Sequence, residues 1–168
     1  MKPKDVERAA EAIAAAQFAR CGFAITVQYG PNQPEFDLIV ARGDHMLKVS
    51  VKGSSDGGWG LTQSHMSGGN YHGAIDAWLK THGSRTVLCL VQFMGVPLKE
   101  MPRVYLATPT EIGVWLKSAA GGRGQTVLDE RHVWSMSKFV PKGTVDQIPQ
   151  GWLFTEQRVD EVFAAFQI

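Results

Sequence analysis

Residues 36–52 read Phe36-Asp37-Leu38-Ile39-Val40-Ala41-Arg42-Gly43-Asp44-His45-Met46-Leu47-Lys48-Val49-Ser50-Val51-Lys52. Two apolar runs flank a short polar turn containing glycine, which is the pattern of a β-hairpin. The runs 36–41 and 47–52 are therefore expected as antiparallel neighbours, with residues 42–45 between them. Pairing through a turn at 43–45 sets position 37 opposite 50 or 52. Side chains alternate across a strand, so Ser50 and Lys52 share one face while Val49 and Val51 share the other. A lysine interrupts an apolar strand at a cost unless its ammonium reaches a carboxylate or water. The hairpin thus gathers Asp37, Ser50 and Lys52 into one polar cluster.

Working outward, residues 3–21 read as a helix. Pro3 suits the first turn, Val6, Ala10, Ile13, Phe18 and Cys21 recur at helical spacing, and Gly22 can close the C-terminus. Residues 23–29 read as a strand, followed by a turn at Gly-Pro-Asn-Gln-Pro, residues 30–34. Residues 53–73 hold seven glycines and four serines, which fits a mobile loop better than a packed element. A helical pattern resumes over 70–82, and residues 86–93 form a continuous apolar run suited to a strand buried on both faces. A further strand is expected at 104–107. Thr108-Pro109-Thr110-Glu111 is a helix start with cap, N1 proline and N3 glutamate in order, giving a helix over 109–118. Short strands are expected at 126–128 and 132–135. Ile148, Pro149, Trp152 and Phe154 read as an irregular apolar plug, and 156–166 as a closing helix. No repeat or linker marks a second unit, so residues 1–168 are expected to form one domain in which helices flank a mixed sheet.

Composition narrows the function. The 168 residues are 44% hydrophobic and 20% charged, enough apolar mass for a core and too much for a disordered chain. Seventeen basic and sixteen acidic residues leave a formal charge of +1, so no global positive field draws the chain onto nucleic acid or anionic lipid. Any such contact must come from a local patch. Charges at Asp5, Glu7, Arg8 and Glu11 interrupt the alanine-rich N-terminus, so no signal peptide is expected there, and no apolar run is long enough for a membrane span. Cys21 and Cys89 have neither metal-site nor disulfide-framework spacing; both are expected as core thiols in a cytoplasmic protein.

The order of these features carries a resemblance. An alanine-rich helix bearing Glu11, Gly22-Phe23 eleven residues later, a strand, a turn, Asp37-Leu38-Ile39-Val40, a tight hairpin and Val49-Ser50-Val51-Lys52-Gly53 together resemble the PD-(D/E)XK nuclease superfamily, most closely its Holliday-junction-resolvase-like and small branches. The match covers residues 1 to about 60 and extends more loosely through 71–79, 87–93 and 105–112. It implies a three-layer α/β/α, restriction-endonuclease-like core and Mg²⁺- or Mn²⁺-dependent hydrolysis of phosphodiester bonds, in DNA rather than RNA. It also implies a homodimer able to engage both strands.

Carried over by position, the resemblance makes Asp37, with the Val51 carbonyl and Glu11, the ligands of a divalent ion. Lys52 becomes the group that orients or deprotonates water. The departure is Ser50, which stands where the family carries Glu, Asp or Gln. A hydroxyl there removes one negative charge from the ion's surroundings and should weaken metal binding by at least about tenfold. Glu35 or Asp56 would be the acid to replace it. The alternative implied by Ser50 and the near-zero net charge is a catalytically impaired member of the fold that binds nucleic acid or protein. A self-associating scaffold would instead require the run at 87–96 to be partly exposed.

Other features point less firmly to chemistry. His65, His72 and His82 lack ligand spacing and read as separate surface or core residues. Among the five tryptophans, Trp59 is expected in a loop beside the cluster, where it could stack on a base, whereas Trp78, Trp115 and Trp152 read as core. Arg103, Lys117, Arg123, Arg131, Lys138 and Lys142 form either a basic patch or scattered surface charge.

Overall fold

The computed structural model describes residues 1–28 and 35–166; the turn expected at residues 30–34 lies outside them. The elements run α1 (Pro3–Arg20), β1 (Ala24–Val27), β2 (Leu38–Arg42), β3 (His45–Ser54), β4 (Gly58–Gly60), α2 (Tyr71–Lys80), β5 (Thr86–Gln92), β6 (Arg103–Ala107), α3 (Pro109–Ser118), β7 (Val127–Asp129), β8 (Arg131–Val133), β9 (Val145–Gln147) and α4 (Glu156–Ala165).

Five strands form a mixed sheet in the order β1-β2-β3-β5-β6. Only β3 and β5 are parallel, and α2 makes the crossover between them. The hairpin is present as expected, with Leu38 against Val49 and Arg42 against His45. On one face, Ala10, Ala14 and Phe18 of α1 and Val159, Val162 and Phe163 of α4 pack on Leu38, Val40, Val49, Val51, Val87, Cys89 and Val91. On the other, Ile75 and Trp78 of α2 and Ile112 and Leu116 of α3 pack on Leu88, Leu90, Tyr105 and Ala107. The architecture is a three-layer α/β/α sandwich, as the α/β reading required. The capping box on α3 is formed as the sequence indicates, with Thr108 and Glu111 exchanging hydrogen bonds.

The alanines of α1 matter because they let the helix approach closely. A Cβ placed on Gly53 would lie 2.9 Å from Ala10 Cβ, Val6 Cγ1 and the Val6 carbonyl oxygen. Glycine at 53 is thus the condition for α1 to lie against the C-terminal end of β3.

Several expectations need correction. Residues 53–73 are not a single loop: β3 continues to Ser54, β4 pairs with β7, a short 3₁₀ turn covers Gln63–His65, and α2 begins at Tyr71 behind an Asn70 cap. Glycine-rich composition concealed these pieces because they are short and depend on partners distant in sequence. Trp59 is not an exposed stacking group; it is 3% exposed and its indole N–H donates to the Lys52 carbonyl at 3.0 Å. Cys21 is only partly buried, while Cys89 is fully buried. Every residue of β5 is buried, and the run 87–96 is exposed only past the strand, at Met94 and Gly95.

Candidate functional site at the open edge of strand β3

The site arises from a mismatch in strand length. The β2 pairing on β3 begins at Leu38 against Val49, yet β3 continues to Ser54 beside β5. The Lys48 N–H donates to the Arg85 carbonyl and the Ser54 carbonyl accepts from the Phe93 N–H. In a parallel ladder alternate residues serve one neighbour, so the even positions of β3 turn their backbone to β5. Val49 and Val51 turn theirs toward β2. Beyond Leu38 no strand of the described residues meets them, and Asp37 fills the gap. Its own N–H donates to the Val49 carbonyl at 2.8 Å, and its carboxylate Oδ2 accepts from the Val51 N–H at 2.6 Å.

Around this edge, groups from both faces act on one another through their charges. Leu38, Val49 and Val51 point into the α1 layer, so Ser50 and Lys52 point to the opposite side, and Glu11 belongs to α1. Their ionisation is nevertheless coupled. Burial raises the Glu11 carboxyl above its ordinary value; the Asp37 and Glu7 charges raise it further, and Lys52 and Arg8 pull it down. Burial likewise raises Asp37, opposed by the Val51 N–H and by Lys52, with Glu7 adding to the rise. Charges on a helix, a strand start and a strand end thus act on one another: Asp37 on Glu11, and Lys52 on both.

Lys52 is exposed and stands at the mouth of a cavity of about 300 Å³ lined also by Pro3, Val6, Ser54, Ser55 and Asp56. The floor is organised by Gln92, which is fully buried and donates to Ser54 Oγ at 3.1 Å; Ser54 Oγ in turn donates to Asp56 Oδ1 at 2.9 Å. Of the two acids considered as replacements at position 50, Asp56 shares the Lys52 cavity, whereas Glu35 acts on His82. Ser50 itself is 3% exposed.

Two participants were not singled out from sequence. Glu7 sits one helical turn before Glu11 and acts on both Glu11 and Asp37; the i, i+4 spacing was the available signal. His82 stacks edge-on against Trp78, with ring centroids 4.3 Å apart, and its Nδ1–H donates to the Trp78 carbonyl at 2.9 Å. Burial holds it below its ordinary value and Lys52 and His65 act in the same direction, against the Trp78 bond and Glu35. Nothing in the spacing of His82 announced this, because its relation to Lys52 is made by the crossover.

Magnesium takes one or two carboxylates and lets water and substrate phosphate complete an octahedral shell. Asp37, Glu11 and the Val51 carbonyl carry oxygen donors of the type such a shell uses. Among the described residues no three His, Cys, Asp or Glu side chains are placed to cage an ion, so an all-protein site of the kind favoured by zinc or calcium does not fit. Among them also, no helix is long and apolar enough to cross a membrane. No protein-family model, curated protein or solved structure matches the chain.

Proposed function

We propose that the chain is a PD-(D/E)XK-type nuclease that hydrolyses phosphodiester bonds in DNA with the help of Mg²⁺ or Mn²⁺. The observation that supports this reading is that Asp37 is held by the Val51 N–H at the end of the β2 pairing on β3, where the charges of Glu11, Asp37 and Lys52 influence one another. Asp37, Glu11 and the Val51 carbonyl would hold the ion, which when bound supplies Lewis-acid stabilisation of charge on the phosphate.

The protein's own side chains do the rest. The Val51 N–H fixes one carboxylate oxygen of Asp37 and so directs the other away from the strand. The Lys52 ammonium, free to move at the cavity mouth, binds a non-bridging phosphate oxygen and orients the attacking water. Glu11, with its raised affinity for a proton, holds that water from the opposite side. A homodimer would present two such edges to the two strands of a duplex.

The test is divalent-dependent cleavage of plasmid, branched DNA and RNA by wild type, Asp37→Ala and Lys52→Ala. Cleavage by wild type alone supports the reading. Equal activity in all three proteins, or none with any metal, ends it.

A second reading is favoured by Ser50, which replaces an acid with a buried hydroxyl. In it the fold has lost catalysis and serves as a binding module. Calorimetry separates the two, since the module should take up neither Mg²⁺ nor Mn²⁺.

A further inference from the structure

Far along the chain from Lys52, one arginine is held in a manner that its protein surroundings do not explain. Arg123 is the only side chain of consequence in Gly121-Gly122-Arg123-Gly124, a loop in which all three glycines take positive φ and Ala120 does so as well, at 55°. The loop is pinned on three sides. His72 bonds the Gly122 carbonyl at 3.1 Å; Gly124 lies so close to α2 that a Cβ there would be 2.9 Å from Tyr71 Cβ; and Asp146 Oδ2 accepts from both the Ala120 N–H and the Trp134 indole N–H.

The result is a guanidinium placed 4.7 Å from the Tyr71 ring centroid and 5.5 Å from that of Trp134. Its Nε–H is buried and has no hydrogen-bond partner, and no ion pair involves Arg123 among the described residues. Contact with aromatic faces offsets part of the cost of desolvating a cation, but it supplies no acceptor for N–H donors. A backbone in left-handed conformations that ordinary residues avoid is maintained here, and strain of this sort gathers at ligand clamps.

The buried Nε–H is closed to an outside ligand, but the terminal guanidinium nitrogens are not buried and have no hydrogen-bond or ion-pair partner among the described residues, and an oxyanion would suit them. Asp146, the carboxylate that ties this loop to the β8–β9 hairpin, is occupied by Trp134 and Ala120. The segment that carries Trp134 closes on itself, its Gly143 N–H donating to the Trp134 carbonyl at 2.7 Å, so that Lys142 adjoins the residue bonded to Trp134. Lys138 lies in the same segment, beside an exposed Phe139. Neither lysine has a carboxylate partner among the described residues. Arg131 projects from the other face of β8, and Arg103 and Lys117 are paired with Glu130 and Asp76, so these three are not part of the group.

We propose that Arg123, clamped by Tyr71 and Trp134 and flanked by Lys142 and Lys138, is a binding site for the phosphate backbone of a polynucleotide. A linear polyanion fits because the two lysines are spread along the segment after Trp134 and the clamped guanidinium of a second loop offers directed donors, which match a phosphate better than a diffuse charge would. The site does not rest on the Lys52 chemistry and would serve a nuclease or a binding module equally.

The test is fluorescence anisotropy of labelled single-stranded DNA, the corresponding duplex and an RNA of the same sequence, without divalent ions, over a series of salt concentrations. Heparin serves as a non-nucleic polyanion. Wild type, Arg123→Ala, Arg123→Lys and the double variant Lys138→Ala/Lys142→Ala are compared, with thermal melts to establish folding. Arg123→Ala should bind about fivefold more weakly with a salt slope shallower by about one, Arg123→Lys should recover only part of the loss, and the double variant should lose about two units of slope. Because Lys138 and Lys142 are exposed, the double variant decides the matter if Arg123→Ala does not fold. The proposal is overturned if wild type binds no polynucleotide at low salt, if folded Arg123→Ala or the double variant binds as wild type does, or if heparin binds as tightly as every nucleic acid.

Discussion

The Asp37 carboxylate accepts a 2.6 Å hydrogen bond from the Val51 backbone N–H, taking the place that a β2 carbonyl would occupy had that strand been longer. A carboxylate used in this way is a poor choice for stability. Burial raises its proton affinity, so the charged form is held against its own preference.

The first prediction follows from that conflict. Asn at position 37 keeps an oxygen for the Val51 N–H and removes the charge. With the folded value raised above the unfolded one, the Asp37 contribution to stability is fully present below the unfolded pKa and is lost as pH rises through the folded pKa. Asp37→Asn should therefore gain on wild type in that same pH window and stay ahead at neutral pH. Asp37→Ala, which strands the N–H, should lose about 1–3 kcal/mol. Thermal melts from pH 3 to 8, on the order of the carboxylate range and above, check both; an Asp37→Asn melting temperature below wild type at every pH would contradict the account.

The second concerns electrostatic coupling. Lys52→Met removes a charge that lowers both Glu11 and Asp37, and Glu7→Gln removes one that raises both. Carboxyl-carbon NMR titration should show the two pKa values rise together in the first variant and fall together in the second.

The third concerns the fit of α1 on the sheet. Gly53→Ala puts a methyl group within 2.9 Å of the Val6 carbonyl, a backbone atom that cannot rotate aside. Overpacking of this sort costs about 1–3 kcal/mol. Displacing α1 also moves Glu11 from Asp37, so chemical denaturation should show the stability loss and NMR a smaller Glu11 shift.

The fourth concerns the missing acid. Ser50→Glu places a carboxylate in a position that is 3% exposed, at a cost of about 1–3 kcal/mol in stability. Calorimetry should show Mg²⁺ or Mn²⁺ binding at least about tenfold tighter than in wild type, provided that Asp37 is intact.

A fifth lies away from the site. Glu130 accepts from Arg103 Nε at 2.6 Å and from the Tyr105 hydroxyl at 2.6 Å, and joins the β7 end to β6. Burial alone would raise its pKa, but these bonds bring it below the ordinary value. The stability it contributes is present above the unfolded pKa and lost as pH falls through the folded one. Glu130→Gln should cost about 1–2 kcal/mol at neutral pH, with the difference from wild type narrowing in acid.

The hairpin from Asp37 to Lys52, the α1 and α3 boundaries, the buried β5 and the closing helix were legible in the sequence, since each depends on a local period, a cap or a turn. The sequence could set Asp37 and Lys52 in one hairpin, while Glu11 was joined to them only by the resemblance. What local pattern could not supply was the outcome of pairings across long separations. Whether Trp59 faces a ligand or the core depends on β4 meeting β7, some 70 positions away. Likewise, Arg123 joins Tyr71 and Trp134 only because three separate segments fold against one another. The covalent chain determined which polar side chains interrupt the apolar strands and which strands alternate to present them. The tertiary structure alone decided that β3 outruns β2, because strand ends are set by what packs beside them, and it is at that edge that the half-buried Asp37 carboxylate takes the Val51 N–H and acts on the charge of Glu11.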